Sequence, residues 1–181
     1  DVSQVTNMAA MFHDADSFNQ DLSKWDVSRV TNMEVMFLYA RSFNQGLSNW
    51  DVSRVTHMGG IFGVVLSFNQ DLSKWDVSRV TNVDGIFYNA HSFNQDLSKW
   101  DLSRVTSMRM MFCYAKSFNQ DLSIWDVSRV TDMQWMFANT HSFQQTLCSA
   151  AWVNSKATKF EMFDDSPGSI SHTACGAWML W

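Results

Sequence analysis

Residues 1–25 read DVSQVTNMAAMFHDADSFNQDLSKW, and this segment is the unit of a repeat. Near-copies of it follow without insertion or deletion at 26–50, 51–75, 76–100, 101–125 and 126–150. A fixed period of about 20 to 50 residues is typical of a solenoid, in which each coil buries its apolar side against its neighbours. We call each 25-residue unit a coil and each position within it a column, so that residues 25 apart share a column. The repeat predicts six stacked coils over residues 1–150.

The apolar columns predict one short helix and one short strand in each coil. Columns 5, 8, 11, 12 and 15 are apolar in nearly every coil and would share one face of a helix. Around Leu22, Trp25 and Val27 the spacing ends in the alternation expected of a strand. We therefore expect an α/β repeat solenoid, with about ten residues of helix per coil and the strands about 4.8 Å apart in a parallel sheet.

The regular pattern stops after Leu147. The open end of a solenoid needs a cap, and we assign residues 151–181 to a degraded seventh coil and a C-terminal cap. Cys148 and Cys175 bracket this segment and form a possible disulfide, which would imply an oxidising compartment.

Two sets of polar columns also repeat and are predicted to be structural ladders. Asparagine amides in column 19 would bond from coil to coil; these are Asn19, Asn44, Asn69, Asn94 and Asn119. Column 1 aspartates and column 4 arginines would form an ion ladder, namely Asp26, Asp51, Asp76, Asp101 and Asp126 with Arg29, Arg54, Arg79, Arg104 and Arg129. The alternatives are sugar binding by exposed amides, calcium bridging by the aspartates, and glycan binding by the arginines.

Composition and motifs exclude several classes of function. With 18 acidic and 13 basic residues the chain carries no nucleic-acid footprint, and no apolar run is long enough for membrane insertion. No signal peptide is visible. No catalytic motif occurs, and His91 and His141, which share a column, would lie about 10 Å apart, too far for one zinc ion. We expect no enzyme activity, no cofactor and no metal site.

Several columns vary while the frame stays fixed, among them columns 9, 10, 14 and 16. On a helix they would form the outer face, where neutral drift is one interpretation and partner specificity the other. Large apolar residues at such columns, with Gly59, Gly60 and Gly63 beside them, favour a docking surface for a protein. The predicted protein-binding face comprises Tyr39, Arg41, Val64, Leu66, His91, Met110, Tyr114 and Trp135.

The string W-D-V-S-x-V-T-x-M-x-x-M-F-x-x-A-x-S-F-N-Q-x-L-S, as in Trp25–Ser48, closely resembles the BspA-like surface-protein repeat, also called DUF285 or Mycoplasma-lipoprotein-type repeat. That family is regarded as a divergent leucine-rich repeat. The resemblance implies a secreted or surface-exposed protein that acts in adhesion or protein binding, and it offers no catalytic residues.

Together these patterns predict a non-catalytic protein-interaction or adhesion module, extracellular or at the cell surface, with a protein partner. The alternatives are a structural scaffold or spacer that polymerises or joins a large assembly, and a glycan or calcium binder that uses the polar ladders.

Overall fold

The computed structural model describes residues 1–176. Regular elements within that range are few. Strand β1 spans Thr146–Leu147, helix α1 spans Ala150–Val153, and strand β2 spans Ser169–Ile170. The strands pair in parallel, with Thr146 opposite Ser169 and Leu147 opposite Ile170. Everything before β1 is built from turns that repeat in each coil.

The predicted helix of each coil is wrong, because columns 8 to 15 fold as consecutive turns. In the first coil the amides of Met11, His13 and Ala15 donate to carbonyls three residues earlier, at 3.1–3.3 Å. Columns 10 and 14 have left-handed φ values of 49–64° in all six coils. An α-helix requires consecutive right-handed residues, so these two columns interrupt any helix that begins before them.

The amides between those turns bond to the next coil. In the first coil, Met8 donates to the carbonyl of Asn32, Phe12 to that of Met36, and Asp14 to that of Leu38, at 2.8–2.9 Å. The equivalent bonds recur at most junctions up to the seventh coil. Each coil therefore satisfies about half of its turn amides internally and the rest through its neighbour, which ties the stack together.

The predicted strand near Leu22, Trp25 and Val27 is also wrong. Trp25 donates its amide to the Leu22 carbonyl at 3.0 Å, which closes a turn. Parallel bridges occur instead at column 7, for example between Asn7 and Asn32. The carboxylates of columns 21 and 1 accept amides two residues on, and such Asx turns compete with an extended strand.

Stacked aromatic rings fill the interior. Phenylalanines of column 12 lie over one another, with ring centroids 5.3–5.9 Å apart from Phe12 through Phe137 to Phe163. Those of column 18 stack at 5.9–6.1 Å. Trp50 and Trp75 stack at 6.5 Å with ring planes 1° apart. The repeat is therefore the structural unit, and residues 25 apart occupy equivalent environments.

A seventh coil follows, with its residues displaced by one position. Phe163 stacks on Phe137, 26 residues earlier, and Glu161 and Asp165 take the left-handed conformation of columns 10 and 14. Trp152 is fully buried. The last five residues of the predicted cap, 177–181, lie outside the described residues.

Candidate functional site

The consecutive turns of columns 8 to 15 present one surface of the stack, which we call the turn face. The left-handed columns 10 and 14 lie on it, and side chains there differ from coil to coil. Glycine favours a left-handed φ, whereas valine, methionine and tryptophan adopt it at a cost of about 1–2 kcal/mol each. Since the hydrogen-bonded frame holds φ fixed, these columns can vary widely in side-chain size.

Glycines, which have no side chain, leave a groove of about 340 Å³ across the second to fifth coils. Gly60 and Gly85 occupy column 10, where the next two coils carry Met110 and Trp135. Gly63 leaves space for Leu38, whose Cδ1 lies only 2.7 Å from the position that a Cβ on Gly63 would take. We call this the glycine groove; it is lined by Leu38, Gly60, Gly63, Asp84, Gly85, Tyr88, Arg109 and Met110.

A second groove, of about 230 Å³, adjoins the first. Met110 lines both, so the two grooves are neighbours on the turn face. Tyr114 is 40% exposed there. The second groove is lined by Met110, Cys113, Tyr114, Trp135, Ala138, Asn139, Glu161 and Asp164.

Arg109 lies between the two grooves. Its guanidinium carbon is 4.3 Å from the centre of the Trp135 ring, which is a cation–π contact. Trp135 in turn donates its indole N–H to Glu161 at 2.7 Å and meets Phe160 edge to face. These contacts hold the positive charge in a defined position at the rim.

Asp84 is engaged within the protein. One oxygen accepts the Ser107 hydroxyl at 2.5 Å and the Arg109 backbone amide at 2.8 Å. The other accepts the Asn82 side-chain amide at 3.1 Å. The carboxylate is therefore positioned by the turns and has few lone pairs left for a ligand.

The bonds between coils are interrupted next to the glycine groove. Within residues 1–176, Met58 and Thr81 do not make the inter-coil amide bonds that Met33 and Thr106 make. Column 7 of the third coil is His57, whose Nδ1 pairs with the Thr56 hydroxyl at 2.9 Å. The asparagines and aspartate at this column instead accept an amide of their own turn. The missing inter-coil bonds of Met58 and Thr81 therefore occur where His57 has replaced the side chain that forms an Asx turn at column 7.

The eight residues predicted to form a binding face lie in different places. Met110, Tyr114 and Trp135 line the grooves. The prediction is wrong for Val64, which is only 6% exposed. The remaining four are half-buried or exposed on the turn side but line neither groove: Tyr39, Arg41, Leu66 and His91.

Arg41 is already paired, with Asp16 at 3.3 Å and over the Tyr39 ring at 5.5 Å. Tyr88, a groove residue that the sequence analysis missed, lies in column 13. That column also varies, from His13 through Leu38 and Gly63 to Tyr88, and its variation was the available signal.

The column 19 asparagines bond along the stack. The Asn19 Oδ1 accepts the backbone amide of Asn44 at 2.9 Å and the side-chain amide of Gln45 at 3.0 Å. The same pair of bonds recurs at Asn44, Asn69, Asn94 and Asn119. This engagement leaves the Oδ1 atoms little capacity for a sugar.

The predicted ion ladder between the column 1 aspartates and the column 4 arginines is wrong. None of the ion pairs among residues 1–176 joins a column 1 aspartate to a column 4 arginine. Asp26 accepts the hydroxyl of Ser28 at 2.7 Å and its amide at 3.1 Å. These bonds favour the charged form and lower the pKa of Asp26, and the equivalent serine bonds lower the pKa values of Asp51, Asp101 and Asp126. The turn to the serine two residues on occupies the carboxylates instead.

Reactive groups offer little chemistry. Cys148 and Cys175 are joined in a disulfide, with Cα atoms 5.1 Å apart. Cys113 is buried, and burial raises the pKa of its thiol to about 11, so it is protonated at neutral pH. Across the described part of the chain no group of three His, Cys, Asp or Glu side chains is placed to hold a metal ion. No helix in that part is long and apolar enough to cross a membrane.

Comparison with known proteins gives one family. The model of DUF285, described as Mycoplasma protein of unknown function, matches residues 1–73 and 58–174, which together cover nearly the whole chain. No curated protein and no solved structure matches.

Proposed function

We propose that this chain, which belongs to the DUF285 family, is a non-catalytic protein-interaction or adhesion module whose turn face binds a protein partner. One observation carries the proposal: the glycine groove and the second groove lie side by side, sharing Met110, at the columns where side chains vary. A fixed frame with variable side chains is how repeat proteins present binding surfaces. Aromatic residues and an arginine line the grooves, as is common at the centre of protein interfaces.

We further propose that the stack is a solenoid, distantly related to leucine-rich repeats, and that it works outside the cell or at its surface. The inter-coil bonds and stacked rings support the first statement. The Cys148–Cys175 disulfide supports the second, because disulfides persist mainly in oxidising compartments.

Filling the groove tests the proposal. Gly85→Met places in the groove a side chain that column 10 already carries at Met110, where φ is 55°. A Cβ on Gly85 would meet the Tyr88 Cβ at 3.6 Å, an ordinary contact. The variant should stay folded, at a cost of about 1–2 kcal/mol from its left-handed φ, and should lose most partner binding.

The matched control is Gly46→Met, which makes the same change at an exposed position away from both grooves. Proteins captured by wild type and by Gly46→Met, but not by Gly85→Met, should be purified and titrated by calorimetry. A purified partner that binds Gly85→Met as tightly as wild type would contradict the proposal.

The two alternatives make different predictions. A scaffold or spacer would give concentration-dependent light scattering from filaments of the purified chain. A calcium or glycan binder would show a calcium-dependent shift in melting temperature or retention on a glycan array.

A further inference from the structure

We propose that the glycine groove binds a partner segment in which a large apolar side chain stands next to a carboxylate, with the apolar group in the groove and the carboxylate on Arg109. This inference rests on the proposed function and specifies the chemistry of the partner.

The walls and floor of the groove define the apolar half of this ligand. Leu38, Tyr88 and Met110 supply the walls. The floor is backbone, because Gly60, Gly63 and Gly85 carry no side chains. A volume of about 340 Å³ lies at the lower end of the range for ligand sites, roughly 300–1,000 Å³, and accommodates one large side chain rather than an extended cofactor.

Arg109 defines the charged half. No ion pair within residues 1–176 includes Arg109. Its Nη1 lies 3.5 Å from the Gln134 amide oxygen, a long hydrogen bond, and the other guanidinium donors have no carboxylate partner among the described residues. Asp84 lines the same groove but is engaged by Ser107, Asn82 and the Arg109 backbone amide. The guanidinium therefore retains donors for a ligand.

A carboxylate is the group that matches these donors. The planar guanidinium fork donates to both oxygens of a carboxylate at once, and Trp135 orients the fork before binding. The chain as a whole carries a net charge of −5. At physiological ionic strength the screening length is about 8 Å, so the distant acidic columns have little effect at the groove. Of the acidic groups at the site itself, Asp84 is already hydrogen-bonded to Ser107 and Asn82, and Glu161 to Trp135.

The carboxylate has two possible sources, an Asp or Glu side chain or the C-terminus of the partner. Two random peptide libraries separate them, one with both peptide ends blocked and one with free C-termini. Each should be selected against the whole chain. We expect enriched peptides with a large apolar residue beside Asp or Glu in the first library, or an apolar residue at the free terminus in the second.

Arg109→Glu and Arg104→Glu make the same charge change in the same coil, but Arg104 is exposed in column 4, away from the groove. For an enriched peptide, Arg109→Glu should weaken binding about 10- to 100-fold, the usual contribution of a charge-assisted hydrogen bond. Arg104→Glu should change it less than about twofold. Because Arg109→Glu also removes the contact with Trp135, Arg109→Gln provides a second variant, and peptides with Lys in place of the acid should bind Arg109→Glu better than wild type.

The outcomes separate the two proposals. If peptides bind and Gly85→Met abolishes binding while Arg109→Glu and Arg109→Gln do not, the groove binds protein but the carboxylate inference is wrong. Enriched peptides without carboxylates, equal losses in Arg104→Glu and Arg109→Glu, or no enrichment from either library would also overturn it.

Discussion

At the scale of single residues, the column 25 tryptophans from Trp50 to Trp125 each join two coils. The Trp75 indole N–H donates to the Leu47 carbonyl at 3.0 Å, and the same bond recurs 28 residues back from Trp50, Trp100 and Trp125. A buried indole needs such an acceptor, because an unpaired buried donor costs about 1–3 kcal/mol. Column 25 therefore combines apolar burial with a specific bond that fixes the register of neighbouring coils.

Replacing Trp75 with phenylalanine should lower the free energy of unfolding by about 2–3 kcal/mol. The change removes the bond to Leu47 and leaves a cavity beside Trp50, which stacks on the indole, and Phe62, which packs against it at a tilt of 32°. Urea unfolding gives the measurement. Ile124→Ala is the control, because Ile124 is 74% exposed and its loss should cost less than about 0.5 kcal/mol. An equally small effect of Trp75→Phe would contradict the role assigned to the indole.

At the scale of the element, columns 8 to 15 of each coil fold as turns, although their apolar residues have the spacing expected of a helix. Apolar residues at columns 8, 11, 12 and 15 fit a period of 3.6, but over eight residues they fit a four-residue turn equally well. Glycine and asparagine at columns 10 and 14, as in Gly60, Gly85, Asn89 and Asn139, were the available signal for left-handed residues. Valine, tyrosine and tryptophan at the same columns in other coils concealed it.

The interrupted junction between the third and fourth coils makes a prediction at this scale. The amides of Met58 and Thr81 should exchange with solvent deuterium faster than those of Met33 and Thr106, which bond to neighbouring coils. Replacing His57 with asparagine should restore the Asx turn of column 7 and slow both amides. Equal protection of Met58 and Met33 in the wild-type chain would contradict the interruption.

At the scale of the whole molecule, the sequence predicts the repeat and its period, because the same residues recur every 25 positions and would therefore occupy equivalent positions in successive coils. The chain's membership of DUF285 agrees with that repeat. The glycine groove could be predicted only in part. Gly60 and Gly63 stand out as small residues, but the guanidinium of Arg109 depends on Trp135 in the next coil, and a column-by-column comparison does not show contacts between unlike columns.

Two predictions, the ion ladder and the exposure of Val64, were wrong because they also relied on comparing columns. Asp26 and Arg29 suggested an ion ladder because opposite charges repeat in step, yet Ser28, two residues from Asp26, is the partner that the carboxylate uses. Val64 was placed outside because its column varies, yet it is buried, whereas Tyr114 in the same column with a similar left-handed φ is 40% exposed. Variation of a column therefore does not by itself indicate that each of its residues is exposed.

Both grooves exist only if columns 8 to 15 form turns, and backbone NMR chemical shifts across the six coils would measure that conformation residue by residue. We expect left-handed residues at columns 10 and 14 of every coil and no helical run before Ala150. Continuous helical shifts from column 5 to column 15 would contradict it, and the glycine groove would then have no structural basis.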